Sequence, residues 1–180
     1  MFRRITKLYY KPTTITKIVL MSTECILIVD ASNIVTRRKI SWSQLFMQVM
    51  RGRHIYGGAI AGNTYTLSNE SKDYFINRNM CFYSEEIKKG FYGEKHVDDF
   101  LHKKARMFFP SKGRIFDKTM IFVTGDGNNN NGKDTFPRVI CDAVNYGFSV
   151  EIWSWSNNRS KNLTKLGDIY KDKVKINNII

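Results

Sequence analysis

Apolar residues fall in this chain into short unbroken runs, separated by stretches where they recur every three or four positions. Residues 25–30 (CILIVD) and 120–124 (MIFVT) are continuous apolar runs and predict strands buried on both faces. Residues 148–153 predict a third strand, 54–60 a strand loosened by Gly57 and Gly58, 80–83 a short strand, and 174–180 a last edge strand. Between them, helical spacing places Trp42, Leu45, Phe46, Val49 and Met50 on one face after a cap at Ser41 or Ser43. A helix is expected near 72–77. Val97, Leu101, Ala105 and Phe108 form another stripe, opened by Asp98 and ended by Pro110. Asp134 or Thr135 should cap a helix with Phe136, Ile140 and Val144 inward and Gly147 as its stop, and a weaker helix covers 161–170. Alternation of strand and helix predicts an α/β fold, a mainly parallel central sheet between two helical layers.

Composition sharpens this picture. The chain has 180 residues, 42% of them hydrophobic, enough for one domain with a core. Lys and Arg number 29 against 16 Asp and Glu, giving +13, which points to a polyanionic partner, above all nucleic acid. Residues 1–23 carry Arg3, Arg4, Lys7, Lys11 and Lys17 and no acid, so they read as a basic arm on a domain spanning 24–180. Their composition overlaps with that of a mitochondrial presequence, the alternative to a cytoplasmic location. No apolar run approaches the ~18–20 residues of a membrane span, so no membrane role is expected. Cys25, Cys81 and Cys141 lie far apart and read as reduced thiols.

Candidate chemistry sits where such sheets bind ligands, beyond the carboxyl ends of the strands. Asp30 ends one buried run, Asp126 follows another, and Asp98 opens a helix on the same side. Two carboxylates ~5 Å apart repel by about 3 kcal/mol at an effective dielectric near 20. Three gathered together call either for protonation of some of them or for a hard cation, Mg²⁺ or Mn²⁺, which takes oxygen ligands. Each acid also has a plain structural role open to it: Asp30 and Asp98 as caps, Asp126 as a turn residue. His96 and His102 lie near Asp98 but fit packing as well as chemistry.

Four segments in order, ILIVDASNIV, KHVDD, FVTGDGN and SKNLTKLGD, resemble an NYN domain, a branch of the PIN-like nucleases. The resemblance covers roughly residues 24–170. It implies a Rossmann-like three-layer sandwich and a metal-dependent endoribonuclease that cleaves RNA, single-stranded by expectation. It also implies metal-site acids at Asp30, Asp98 and Asp126, support from Asn33, and Lys95 as the basic residue before the second acid. The family often carries a further acid two residues after the third, where this chain has Asn128. Asp134 would supply the missing carboxylate, or the amide would weaken the site; Asp99 would substitute or face solvent.

Lys95, Lys133, Arg159 and Lys161 are the expected backbone contacts, and Trp155 the first aromatic to test as a base-stacking platform. Two other readings compete. One is an NYN-type module that binds RNA without cutting it. The other is a phosphate loop at residues 127–133, which match G-x-x-x-x-G-K but are followed by Asp134 instead of a Ser or Thr.

Overall fold

A computed structural model describes residues 24–35, 40–86, 94–111, 118–127 and 134–180. The arm 1–23, Asn128, Lys133 and most of the 127–133 loop lie outside the described residues, as does the side chain of Lys95.

Six strands form one sheet: β1 (Glu24–Asp30), β2 (His54–Asn63), β3 (Met80–Glu85), β4 (Thr119–Val123), β5 (Ser149–Ser154) and β6 (Val174–Asn178). Every pairing is parallel, and the order β3-β2-β1-β4-β5-β6 is that of a doubly wound fold. The connecting helices are α1 (Ala31–Val35), α2 (Trp42–Met50), α3 (Lys72–Ile76), α4 (Glu94–Arg106), α5 (Phe136–Asn145) and α6 (Lys161–Ile169), with a 3₁₀ turn at Asn69–Ser71.

The unbroken apolar runs are explained by two cores. Ile26 and Ile28 of β1 face Leu101 of α4, Ile140 of α5 and Leu163 of α6 on one side. Cys25, Leu27 and Val29 face Ile34 of α1, Phe46 of α2 and Phe75 of α3 on the other. A strand covered on both faces has no polar side to show, so the period-2 signal vanishes. Burial pushes the Cys25 thiol up to about 11, which leaves it protonated and inert.

Local chemistry sets the element ends. Ser41 caps α2 in a reciprocal box: its Oγ accepts from the Gln44 amide, and Gln44 Oε1 accepts from the Ser41 amide. Ser41→Ala should cost about 1 kcal/mol and lower Tm by ~2–4 °C; an unchanged melting curve would speak against the cap. Thr135, not Asp134, caps α5 through the Arg138 amide.

Two expectations need correction. Gly58 does not loosen β2: a Cβ there would lie 2.1 Å from the Leu27 carbonyl oxygen, so glycine is what lets β1 and β2 meet. Asp98 does not open its helix. The helix α4 begins at Glu94, and Asp98 sits one turn inside it, which removes the cap as its role.

Among the described residues no helix is long and apolar enough to cross a membrane.

Candidate functional site

In this strand order the connections leave β1 and β4 in opposite directions, which opens a crevice at their carboxyl ends. Asp30 closes β1 there, 4% exposed. Its Oδ1 accepts from the Asn33 amide at 3.1 Å, which fastens the first turn of α1. Its Oδ2 accepts from the Thr124 hydroxyl, also at 3.1 Å. Thr124 Oγ1 in turn accepts from the Asp126 amide at 3.1 Å. One buried hydroxyl thus joins the first acid to the backbone of the third, and Asp30 Oδ2 lies within about twice a hydrogen-bond length of that amide.

The loop after β4 is wedged into place. Gly125 donates its amide to Asn33 Oδ1 at 3.0 Å and accepts at its carbonyl from the Ser160 amide. A Cβ on Gly125 would sit 2.7 Å from Asn33 Oδ1 and 2.8 Å from the Asn158 carbonyl oxygen, so only glycine fits. The Gly127 carbonyl accepts from Asn162 Nδ2 at 2.8 Å. Asn33 therefore braces both Asp30 and the β4 exit, and the start of α6 closes the far wall. Lys161, the first residue of α6, is exposed beside this wall.

Asp98 is partly exposed, on a helix whose Val97 and Leu101 are buried against the sheet, and Asp99 faces solvent. His96 Nδ1 meets Glu85 Oε1 at 2.8 Å and ties the first turn of α4 to the end of β3. Among the described residues, however, no three His, Cys, Asp or Glu side chains come close enough to hold an ion together. The expected cup of three carboxylates is not assembled as a set. The donor set at the crevice is nevertheless of the oxygen kind that suits Mg²⁺, which binds through one or two carboxylates and keeps several waters. Asp30 supplies one such carboxylate there, and the backbone of Asp126 is tied to it through Thr124.

Three expected site residues are committed elsewhere. Asp134 is paired with Arg106, whose Nη2 donates to Asp134 Oδ1 and to Asp142 Oδ2, both at 2.8 Å. Burial raises the Asp134 carboxyl, but the hydrogen bond and charge of Arg106 outweigh it and hold the group below its ordinary range. It is an ion-pair partner, not a spare ligand. Arg159 folds back on the sheet edge, with Nε donating to Ser154 Oγ at 2.7 Å and Nη2 to the Asn177 carbonyl at 3.0 Å, and so is not a free phosphate contact. Trp155 is 4% exposed and donates its indole N–H to the Ile34 carbonyl at 3.0 Å, which leaves no ring face for a base.

Three further residues matter. Thr124 was not singled out from the sequence, because its role is a tertiary hydrogen bond with no local pattern. His102 is 2% exposed, packed edge-on against Phe136, and neither ring nitrogen has a hydrogen-bond partner among the described residues. Burial lowers its proton affinity; Asp134, Asp99 and Asp126 pull it up, and Arg106 pushes it down. The net shift is downward from 6.5, so below that pH the unfolded chain binds more protons and stability falls. His102→Met should flatten this slope, which urea titrations at neutral and mildly acidic pH would read; an equal acid loss in both proteins would exclude His102 as its source. Tyr65, on the turn after β2, was also passed over, since no local pattern marks its ring as exposed.

A cleft of about 770 Å³ follows β6 and the amino ends of β4 and β5, lined by Lys118, Lys171, Lys173 and Lys175 among others. It runs along the β6 edge, and its lining includes none of Asp30, Asp98 and Asp126.

No family model and no curated protein matches the chain.

Proposed function

We propose that the protein is a metal-dependent endoribonuclease whose site is the β1/β4 crevice. The observation that carries this reading is the Thr124 hydroxyl, shared between the Asp30 carboxylate and the Asp126 amide at the switch point of the sheet. Asp30 and Asp126 would hold Mg²⁺ or Mn²⁺, with Asp98 approaching from α4. When bound, the ion supplies polarisation of a phosphodiester oxygen and an activated water.

The chain's own residues do the rest. Asn33 and Thr124 fix the orientation of Asp30, Gly125 lets the loop backbone pass close to it, and Lys161 meets the substrate backbone at the start of α6. The net charge of +13 draws the polyanion in, and affinity should fall steeply with salt. Hydrolysis would leave 5′-phosphate and 3′-hydroxyl ends. Single-stranded RNA suits a surface crevice that does not enclose a helix.

One observation favours a second reading, an RNA-binding module that does not cut. No three-ligand group occurs among the described residues, and Asp134 is held by Arg106. Incubating labelled single-stranded RNA with Mg²⁺, Mn²⁺ or EDTA separates the two. Cleavage that needs metal supports the enzyme. Retention of intact RNA under every condition supports the module.

A further inference from the structure

Tyr65 is 82% exposed. Exposed rings usually lie on mobile or partnered side chains, but this one stands on a turn that is fastened throughout. Asn63 Oδ1 accepts from the Tyr65 amide at 3.0 Å and from the Thr66 amide at 3.1 Å. Thr66 Oγ1 donates to the Asn63 carbonyl at 3.0 Å and accepts from the Asn63 amide at 3.1 Å. The Thr64 amide donates to the Glu85 carbonyl, and Ser84 Oγ donates to the Leu67 carbonyl, so the turn is also stitched to β3. Thr66 and Leu67 are buried on either side of the bonding.

The turn is next to the crevice. Ala61 pairs with Asp30 in the β1/β2 ladder. A Cβ on Gly62 would lie 2.4 Å from Thr66 Oγ1 and 2.9 Å from the Ala31 Cβ, so the turn packs directly on the residue that follows Asp30. Of the exposed tyrosines, Tyr56 is covered by Lys118 and Tyr146 by Phe109. Tyr65 has no ring contact among the described residues. Because the backbone that carries the ring is already fixed, only the two side-chain torsions of Tyr65 need to be ordered when something flat settles on it.

We propose that Tyr65 is a stacking platform for an unpaired base of the single-stranded RNA whose backbone crosses the crevice at Asp30 and Asp126. This rests on the nuclease reading, and the strongly positive charge of the chain is what favours a nucleobase over a protein side chain as the occupant. Stacking uses the ring face, so the hydroxyl is dispensable and an aliphatic side chain cannot substitute.

The test compares the parent with Tyr65→Phe, Tyr65→Leu and Tyr65→Ala by fluorescence anisotropy, using a short labelled single-stranded RNA in EDTA. Tyr65→Phe should keep the parent affinity. Tyr65→Leu and Tyr65→Ala should bind about 5- to 150-fold more weakly, with an unchanged salt slope because no phosphate contact is lost. Binding of duplex RNA, whose bases are already stacked, should be the same in all four. Parent-like affinity in Tyr65→Ala overturns the platform while leaving a metal-dependent cleavage by the parent intact. Parent-like affinity in Tyr65→Leu also overturns it, by showing an apolar contact of the kind a protein partner makes. Failure of the parent itself to bind single-stranded RNA in EDTA overturns the platform, and failure both to bind it and to cleave it with Mg²⁺ or Mn²⁺ overturns the nuclease reading as well.

Discussion

Replacing Arg53 with Met should destabilise the protein by about 3–5 kcal/mol, because it strands a carboxylate inside the fold. Arg53 and Glu151 are both nearly buried, with side chains 9% and 8% exposed. The guanidinium donates through Nη1 and Nη2 to the two oxygens of Glu151, each at 2.9 Å. It also donates to the carbonyls of Met50 and Val49, so it ties the end of α2 to the middle of β5. Burial alone would raise the Glu151 carboxyl, but hydrogen bonds from Arg53 and Trp153 and the charge of Arg53 hold it below its ordinary value.

In the parent, Glu151 therefore contributes stability above its unfolded value of 4.5, lost as pH falls through its lower folded value. In Arg53→Met the bonds and charge of Arg53 go, while burial remains, opposed only by the Trp153 hydrogen bond and the Arg51 charge, so the group rises. The deficit of the variant should then shrink as pH falls from neutral, because a protonated Glu151 is cheaper to bury. Urea unfolding over that range reads both effects; the deficit at neutral pH corresponds to roughly 6–20 °C in Tm. A small deficit that does not change with pH would show that the pair is not a buried clamp.

Asp30→Asn should lower RNA cleavage by more than the ~10–100-fold typical for losing an outer partner of a metal ligand. The amide keeps the shape of the side chain and can still accept from the Asn33 amide, so the fold should survive. What it removes is the charge that would face the ion. Asp134→Asn is the contrast: it breaks a pair with Arg106 that is about one-third exposed, costs about 1 kcal/mol, and should leave cleavage unchanged. Single-turnover rates on the three proteins decide the matter. Equal losses in both variants would mean that the two aspartates do not play different roles.

The layered α/β architecture was legible because parallel strands buried on both sides must be apolar throughout. CILIVD and MIFVT could hardly be anything else. Element ends were less legible where two signals competed. Asp98 reads as a helix start, yet Glu94 and Lys95 are good helix formers, and the His96–Glu85 contact secures the extra turn. The fate of long polar side chains was not legible at all. Whether Arg159 meets solvent or the Asn177 carbonyl, and whether Asp134 meets a metal or Arg106, depends on partners up to 28 residues away in sequence. Trp155 reads as a stacking platform because a tryptophan after a strand looks the same in sequence whether its ring faces outward or, as here, packs over α1. The Asp30–Thr124–Asp126 linkage was half visible: the two acids stand out as strand exits, while the threonine that joins them carries no mark of its own.

The most direct measurement is Mn²⁺ binding followed by electron paramagnetic resonance on the parent, Asp30→Asn, Asp126→Asn and Asp134→Asn, without RNA. A site present in the parent and in Asp134→Asn, but lost from both Asp30→Asn and Asp126→Asn, is the predicted result. A parent that binds no Mn²⁺, or an Asp30→Asn or Asp126→Asn protein that binds it as the parent does, would contradict a metal centre at the β1/β4 crevice.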